Sequence, residues 1–321
     1  MTRYARQTIL PQVGEGGQAR LAAARVLVVG AGGLAAPLLP VLAGAGVGEI
    51  HIMDPDVVEL SNLHRQTLFT EADCGRPKAE VAAERCRAIN SGVVLRCTKR
   101  SITPENVVQN GQNADLILDC ADSHAASYTL SDACLALGKP LITASVLGLS
   151  GYVAGVCGGA PSLRALFPEA PDGGATCATA GVLGSTVAIL GSIQAQMALS
   201  VLLDLSPSPL GQVVQIDAAT LRSTSFRFDT APEPERTFRF VAASDLTDQD
   251  TIIELRGTEE APVPLHPSAQ RIMPENLSDI EPNKSNRLAL CCATGLRSWR
   301  AAEEISTRWS GEIVLVAAST S

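Results

Sequence analysis

The most constraining feature of this sequence is a strand, a glycine-rich turn, a helix and a second strand that follow one another between residues 24 and 54. Residues 24–30 (ARVLVVG) are mostly apolar, and they lead into an Ala/Leu-rich helix at 31–48. Residues 49–54 (EIHIMD) predict a second strand that ends in an acid. Continuous apolar strands are typical of a parallel sheet covered on both faces by helices. The unit therefore predicts an α/β fold.

The alternation of helix and strand continues to about residue 147. The patterns predict helices at 77–90, 104–111 and 124–138 and strands at 93–97, 115–120 and 140–146. Antiparallel strands are predicted next, at 148–157 and 212–228. We therefore predict a Rossmann-like, mostly parallel sheet with an antiparallel extension in residues 1–228, a polar linker at 229–247 and a small α/β domain at 248–321.

Charge and cysteine content exclude several classes of protein. The chain has 321 residues and a net charge of −8, whereas a dedicated nucleic-acid binder normally shows a basic surface. Its nine cysteines include no CxxC pair, which argues against a disulfide framework or a zinc ribbon. Reduced thiols and an N-terminus without the apolar core of a signal peptide favour a cytoplasmic protein. The uncharged stretch Gly173–Leu203 predicts a buried helix rather than a membrane span, because polar residues are scattered through it.

The turn between the first strand and the first long helix has the spacing of a phosphate-binding loop. Gly30, Gly32, Gly33 and Ala35 fit the pattern G-x-G-x-x-G/A, and Asp54 ends the next strand. Glycine lets the backbone approach phosphate, the helix N-terminus supplies N–H groups, and the acid accepts ribose hydroxyls. The turn therefore predicts nucleotide binding. The alternative is a tight structural turn with an ordinary acid at the end of a strand.

Polar residues beyond the turn favour a triphosphate over a dinucleotide. These candidate site residues are Asp54, Asp56, Asn62, Arg65, Gln66, Lys78 and Asp122. Two cations suited to phosphate and a carboxylate suited to Mg²⁺ predict nucleotidyl transfer, in which the protein positions groups and neutralises charge. Three of them have structural alternatives: Arg65 in a surface ion pair, Lys78 as a solvated helix residue and Asp122 as a helix N-cap.

Five motifs together resemble the ThiF/MoeB/HesA family, the bacterial relatives of ubiquitin-activating enzymes. The motifs are R-Y-x-R-Q at 3–7, VLVVGAGGLAAP at 26–37, AGVGEIHIMDPDVVELSNLHRQ at 45–66, G-R-P-K at 75–78 and D-C-A-D-S at 119–123. The resemblance implies an enzyme that uses MgATP to adenylate the C-terminal Gly-Gly carboxylate of a ubiquitin-like sulfur carrier and releases pyrophosphate. Because that carboxylate is itself the nucleophile, no Ser/His/Asp triad is required.

The resemblance also implies roles for individual residues. It implies that Asp54 binds ribose, that Asp122 holds Mg²⁺, and that Arg6 crosses a homodimer to the partner's ATP. The residues that it implies around the phosphates are Asp56, Asn62, Arg65, Gln66 and Lys78. Cys177 resembles the family's crossover-loop cysteine, which bonds covalently to the carrier or a sulfur donor in some members. The alternative for Cys177 is a small buried hydrophobe.

The sequence departs from the family at the structural zinc site. Many members bind zinc through two CxxC pairs, and the corresponding positions here, 162–165 and 222–240, hold no cysteine. Thiolates are the usual ligands of such a site, so we expect no structural zinc and expect packing to replace it. Ser123 also stands where the family commonly has Asn.

Residues 292–298 (CATGLRS) resemble the active-site loop of rhodaneses. The loop lies between a predicted strand and a predicted helix, where backbone N–H groups would stabilise a persulfide anion on Cys292. The predicted persulfide loop comprises Cys292, Gly295, Arg297 and Ser298. The alternative is a docking domain that has lost its chemistry and buries its cysteines.

Together these motifs predict a homodimeric, ATP- and Mg²⁺-dependent adenylyltransferase–sulfurtransferase. Its predicted partners are a ubiquitin-like sulfur carrier ending in Gly-Gly and a sulfur donor such as a cysteine desulfurase, without nucleic acid or membrane. The product would serve molybdopterin, thiamine or another thiolated compound. Three alternatives stay open: a carrier-docking scaffold with an inactive C-terminal domain, a tRNA-modifying relative of the same fold, and an NAD-dependent oxidoreductase.

Overall fold

The computed structural model of the protein describes residues 3–170, 181–280 and 287–318. Within these ranges the chain forms one sheet of eight strands and a second sheet of five strands. The larger sheet is built from residues of the first two thirds of the chain, and the smaller sheet from residues beyond 238.

The larger sheet is parallel at one side and antiparallel at the other. Its strands are β1 (Arg25–Val29), β2 (Glu49–Met53), β3 (Val94–Thr98), β4 (Leu116–Asp119), β5 (Pro140–Leu147), β6 (Ser150–Cys157), β7 (Gln212–Asp217) and β8 (Arg222–Arg227). They lie in the order β3-β2-β1-β4-β5-β6-β7-β8, parallel from β3 to β5 and antiparallel from β5 to β8. This confirms the predicted α/β fold with an antiparallel extension.

Helices cover the larger sheet and position its carboxyl edge. They are α1 (Ala5–Thr8), α2 (Gly14–Ala23), α3 (Ala35–Ala45), α4 (Lys78–Ile89), α5 (Val107–Gly111), α6 (His124–Leu137), α7 (Leu163–Leu166) and α8 (Gly184–Leu202). By length and composition α8 is apolar enough to cross a membrane. Here it packs against α3, β5 and β6, and Val187, Leu190 and Ala198 on it are buried in the main core. The uncharged stretch therefore includes a helix of the core.

The smaller sheet is entirely parallel. Its strands are β9 (Arg239–Phe240), β10 (Thr251–Glu254), β11 (Gln270–Arg271), β12 (Leu288–Cys292) and β13 (Ile313–Ala317), and α9 (Leu296–Ile305) packs on β12 and β13. The strand order is β11-β10-β12-β13-β9. Strand β9 comes from the segment 229–247, which the sequence predicts as a linker. The small sheet thus recruits part of that segment, and the domain boundaries at 228 and 248 stay predictions.

The smaller sheet is docked on α6 of the larger unit. The rings of Tyr128 on α6 and Trp299 on α9 meet edge to face, with centroids 4.4 Å apart. The guanidinium of Arg164 lies 5.0 Å from the Tyr128 ring and 5.5 Å from the Trp299 ring. Ala125 and Phe240 are buried in the same apolar cluster. Aromatic and cation–π contacts therefore join the two units.

Hydrogen bonds connect the two segments in which the family places its zinc ligands. The backbone N and the Oγ of Ser162 donate to the two carboxylate oxygens of Glu233, at 2.7 and 2.5 Å. Arg164 donates to Asp132 at 2.7 Å and to the carbonyl oxygen of Phe238 at 2.9 Å. We call this set of bonds the Ser162–Glu233 clip. The two segments are thus connected by polar bonds, whereas the sequence predicts that packing replaces the zinc. The absence of zinc stays a prediction.

Candidate active site

Close packing requires glycine at two positions of the turn that follows β1. Gly30 has φ +92°, and a Cβ there would lie 2.6 Å from the carbonyl oxygen of Cys120. A Cβ on Gly33 would lie 2.7 Å from Cγ1 of Val187. Helix α3 begins at Ala35, directly after the turn, so the N-terminus of an 11-residue helix faces this edge of the sheet. The turn therefore has the geometry of an anion-binding loop.

Gln66 and Asn62 lie beside Gly32, the second glycine of the turn. A Cβ on Gly32 would lie 3.6 Å from Nε2 of Gln66, and that nitrogen donates to Oδ1 of Asn62 at 3.0 Å. Oε1 of Gln66 is buried and has no hydrogen-bond partner within the described ranges. Buried polar atoms in folded proteins are normally paired, so this oxygen is a candidate acceptor for a ligand bound beside the turn.

Arg65 extends along the same turn. Its Cγ lies 3.5 Å from the Cβ position of Gly33. Its Nη1 donates to Nε2 of His64 at 2.8 Å and to the carbonyl oxygen of Ser61 at 3.4 Å. Neither partner is the carboxylate of a surface ion pair. The guanidinium charge therefore stays available to a phosphate.

Asp54 connects the end of β2 to the turn. Its Oδ2 accepts a hydrogen bond from the backbone N of Ala31 at 2.7 Å, and its Oδ1 accepts one from the backbone N of Asp56 at 2.8 Å. Burial raises the pKa of this carboxyl, and the two backbone bonds act in the opposite direction. Each oxygen keeps a second lone pair, so the predicted contact with ribose hydroxyls is compatible with this geometry.

Lys78 is a buried cation and not a solvated helix residue. It is the first residue of α4 and only 5% exposed. Its Nζ donates to Oδ2 of Asp56 at 2.8 Å, and the Asp56 side chain is 63% exposed. The pair therefore places a cation and a reachable carboxylate next to Asp54, whose pKa both of them influence.

Asp122 lies where the loop after β4 meets the turn. The N-cap of α6 is Ser123, so Asp122 does not take the capping position that was its structural alternative. A Cβ on Gly30 would lie 3.0 Å from the backbone N of Ala121, the residue before Asp122. Asp122 is exposed at this edge. Mg²⁺ is commonly held by one or two carboxylates together with substrate phosphates, so this exposed oxygen donor fits the ion.

The predicted residue Arg6 is not brought to this site. Arg6 is in α1, where the neighbouring Gln7 donates to the carbonyl oxygen of Ala45 at 3.0 Å. Ala45 is at the end of α3 opposite to the glycine turn. The structure thus keeps Arg6 away from the site of its own chain, and its reach to a partner subunit stays a prediction. Cys177 lies outside the described residues.

The predicted persulfide loop has its N–H groups in place around Cys292, but the thiol is buried. Sγ of Cys292 accepts hydrogen bonds from the backbone N of Gly295 at 3.1 Å and of Ser298 at 3.4 Å. Cys292 is fully buried, and Gly295 packs against Phe240. Arg297 donates from Nη1 to Oε2 of Glu260 at 2.8 Å. The N–H cradle agrees with the sequence prediction, whereas the thiol has no access to solvent.

The sequence did not single out three buried residues beneath the turn. They are Asp119, Thr143 and Gln194, and each is at most 1% exposed. Asp119 is the first residue of the D-C-A-D-S motif, but the motif pointed only to Asp122 as a site residue. The sequence could point to Gln194 only as a polar residue inside an uncharged helix. Its hydrogen bonds depend on the tertiary fold and leave no sequence pattern.

Comparisons with known proteins identify relatives of this chain. The sequence model described as the ThiF family matches residues 4–237. A sulfur carrier protein adenylyltransferase of Thermus thermophilus is 42% identical over 239 residues, which cover 71% of this chain and 88% of that protein. The adenylyltransferase and sulfurtransferase MOCS3 of Bos taurus is 42% identical over 219 residues, covering 67% of this chain and 48% of that protein. The SAMP-activating enzyme E1 of Haloferax volcanii is 38% identical over 235 residues, covering 73% and 87%.

Solved structures agree with the fold. Escherichia coli MccB in complex with MccA-N7isoASN has a TM-score of 0.65 at 20% identity, covering 73% of this chain and 74% of that one. Escherichia coli MccB with ATP has a TM-score of 0.64 at 20% identity, covering the same shares. At this identity the likeness shows the fold alone.

Proposed function

The chain belongs to the ThiF family, and on this premise we propose that it adenylates the C-terminal Gly-Gly carboxylate of a ubiquitin-like sulfur carrier with ATP. It is an adenylyltransferase, as its relatives are named. One observation carries the proposal: the glycine turn, the Lys78–Asp56 pair, Arg65 and Asp122 all lie at the carboxyl edge of the parallel strands. The oxidoreductase alternative would leave these charges without a role.

The residues of this edge suit attack by a carboxylate on ATP. A carboxylate oxygen of the carrier forms a bond to the α-phosphorus, the bond from that phosphorus to the bridging oxygen breaks, and pyrophosphate leaves. The turn and the N-terminus of α3 bind the phosphates through N–H groups. Lys78 and Arg65 neutralise the charge that develops on them. Asp122 would hold Mg²⁺, which supplies further charge compensation when bound.

The antiparallel extension offers a surface on which a folded carrier can dock. A cleft of about 580 Å³ is lined by residues of β5 to β8, among them Tyr152 and Arg222. The apolar side chains of Leu147 and Phe226 on the same strands are 42% and 45% exposed. Strand β5 is the neighbour of β4, which leads to Asp122. A carrier on this surface therefore has a short path for its C-terminus to the ATP site.

Sulfur transfer is the second part of the proposal. A donor persulfide R–S–SH gives its outer sulfur to the Cys292 thiolate, which forms Cys292–S–S⁻ and releases R–SH. The terminal sulfur then attacks the acyl carbon of the adenylate, and AMP leaves. A second thiol, for which Cys177 is the candidate, attacks the disulfide at Cys292 and releases the carrier thiocarboxylate. The N–H cradle around Sγ supports this role.

A docking role for the small unit is the second candidate function, and the full burial of Cys292 favours it.

We further propose a cytoplasmic homodimer in which Arg6 reaches the partner's ATP. The carrier pathway, whether molybdopterin, thiamine or another, depends on surface shape.

Pyrophosphate–ATP exchange in the presence of the carrier tests the adenylation step. We expect Asp122→Ala to abolish exchange, because the phosphate charge loses its compensation. Asp248→Ala, which removes an exposed carboxylate of the small unit, is the control and should exchange normally. Exchange that survives in Asp122→Ala would remove this residue from the mechanism.

The same assay separates the two roles of the small unit. We expect Cys292→Ser to keep pyrophosphate exchange and to lose formation of the carrier thiocarboxylate. If Cys292→Ser forms thiocarboxylate as well as the wild type does, the small unit is a docking element and sulfur reaches the adenylate by another route.

A further inference from the structure

Asp119 is a buried carboxylate that the mechanism above does not use. It is the last residue of β4, three positions before Asp122, and it is fully buried. Its Oδ2 accepts a hydrogen bond from Oγ1 of Thr143 at 2.8 Å, and its Oδ1 accepts one from the backbone N of Ala121 at 3.1 Å. Burying a carboxylate among neutral partners costs stability, so the demands of the core alone do not explain an acid here.

The carboxylate closes a turn on its own chain. The bond from Ala121 to Asp119 spans two residues, which is the Asx-turn geometry that fixes a short loop. The backbone N of Cys120 donates to the carbonyl oxygen of Val29 at 2.8 Å and keeps the loop on β1. The direction in which the chain leaves β4 is therefore determined at Asp119.

Gln194 holds the same loop from α8. Its Nε2 donates to the carbonyl oxygens of Asp119 and Ile142, at 2.7 and 3.0 Å. Its Oε1 accepts from Sγ of Cys120 at 3.4 Å. The nitrogen and the oxygen of this fully buried amide thus connect the end of β4, the residue after it and the neighbouring part of β5 to one helix.

The fastened loop is the floor of the phosphate-binding turn. Gly30 rests on Cys120 and Ala121, since a Cβ at Gly30 would lie 2.6 Å from the carbonyl oxygen of the former and 3.0 Å from the backbone N of the latter. Asp122 follows immediately and projects its side chain to the surface. The turn and the carboxylate that would hold Mg²⁺ therefore share one support, and Asp119 is its anchor.

We propose that Asp119 is a positioning residue for adenylation: by anchoring Ala121 and Thr143, it holds the Asp122 carboxylate beside the glycine turn for MgATP. This inference rests on the proposed function, because it assumes that Asp122 meets MgATP. It concerns the geometry of the loop and not a proton carried by Asp119.

Titration calorimetry of ATP binding at increasing Mg²⁺ concentration tests the proposal without a carrier. We expect Asp119→Ala to raise the Mg²⁺ concentration for half-maximal ATP binding by about tenfold, the usual effect of losing a residue that orients a ligand of the metal. Asp119→Asn should remain within about twofold of the wild type, because Oδ1 still accepts from Ala121 and the hydroxyl of Thr143 turns to accept from the amide. Thr143→Val, which removes one anchoring bond, should fall between the two.

A matched control separates positioning from general stability. Glu254 is likewise fully buried at the end of a parallel strand, but in the small sheet. Glu254→Ala should lower the unfolding temperature and leave the Mg²⁺ dependence of ATP binding unchanged.

The proposal is wrong if folded Asp119→Ala binds ATP with the Mg²⁺ dependence of the wild type. Where Asp119→Ala does not fold, the same result for Thr143→Val overturns it. It is also wrong if Asp119→Asn is as defective as Asp119→Ala. An Asp119-dependent Mg²⁺ response in a protein that fails to adenylate any carrier would support the positioning role and overturn the proposed function alone.

Discussion

At the scale of single residues, three acids at the carboxyl edge of the larger sheet are held in three different ways. Asp54 accepts bonds from backbone N–H groups, Asp56 from the Lys78 ammonium, and Asp119 from Thr143 and a backbone N–H. Only one of the three therefore has a cation to stabilise its charge directly. Burial raises the pKa of Asp119 to about 6, and the hydrogen bonds it accepts only partly offset that shift.

This shift predicts a pH dependence of stability. The pKa of Asp119 lies above the ordinary value of 3.8 for an aspartate, so the folded state binds the proton more tightly than the unfolded state does. The contribution of Asp119 to stability is therefore fully present below about pH 4 and is lost as the pH rises to about 6. We expect Asp119→Asn to gain about 2–3 kcal/mol relative to the wild type between these pH values, measured by urea unfolding without Mg²⁺. If the free energies of unfolding of the wild type and Asp119→Asn change with pH in parallel, the pKa shift of Asp119 is contradicted.

At the scale of elements, the Ser162–Glu233 clip joins the start of α7 to the segment before β9. The clip stands where many ThiF/MoeB/HesA proteins are implied to bind zinc. A carboxylate that accepts two hydrogen bonds fastens two segments without a metal. Arg164 extends the connection to Asp132 on α6 and to the carbonyl oxygen of Phe238.

Removal of the clip should destabilise the chain. In Glu233→Ala the buried hydroxyl and the backbone N of Ser162 lose their acceptors, which should lower the free energy of unfolding by about 1–3 kcal/mol. Glu235→Ala, two residues further along and also exposed, is the control and should stay within about 0.5 kcal/mol of the wild type. Urea unfolding measures both. Equal stability of the two variants would show that the clip contributes nothing.

The helices and strands with a clear sequence pattern could be predicted, and some residues of the candidate site could be predicted as well. Apolar runs and the glycine spacing predict β1, α3 and β2, and family motifs point to Lys78 and Asp122. The two-residue strands β9 and β11 are too short to leave a pattern. The roles of Asp119 and Gln194 arise from contacts between β4, β5 and α8, which no local sequence window contains. The contact of Ala125 with Gly295 in the sulfur loop likewise depends on how one unit docks on the other.

At the scale of the whole molecule, the docking of the small unit on α6 determines access to the sulfur loop. Ala125 on α6 lies 3.3 Å from the Cβ position of Gly295, and Phe240 packs on the same glycine. Cys292 lies beneath this contact. We therefore predict that separation of the two units makes the thiol more accessible to a sulfur donor.

Alkylation with iodoacetamide should reveal the closed thiol. Peptide mapping by mass spectrometry should show Cys292 modified far more slowly than the exposed Cys74, and about as slowly as the buried Cys86. Ala125→Arg places a bulky charge in the docking contact, so it should accelerate modification of Cys292 and leave that of Cys86 unchanged. Rapid modification of Cys292 in the wild type would show that the units are separated in solution.

A mixture of two inactive variants tests the proposed dimer. Arg6→Ala and Asp122→Ala should each lack activity if Arg6 acts on the partner's ATP. In mixed dimers, one of the two sites recovers both residues, so random pairing restores about a quarter of the wild-type exchange rate. Exchange should be measured after the variants are mixed and allowed to reassociate. Absence of recovery would mean that Arg6 serves its own chain or no site at all.

The pairing of β9 with β13 has a consequence for the nascent chain during synthesis. Phe240 lies in β9, and its neighbour in the sheet is made only when residues 313–317 are synthesised. Ribosomes add about 5–20 residues per second, so this gap corresponds to roughly 4–15 s. Until residue 299 is synthesised, Tyr128 on α6 has no Trp299 ring to cover it, although the strands of the larger sheet are complete. A nascent chain therefore carries an uncovered aromatic face for seconds, which is the kind of surface that chaperones bind.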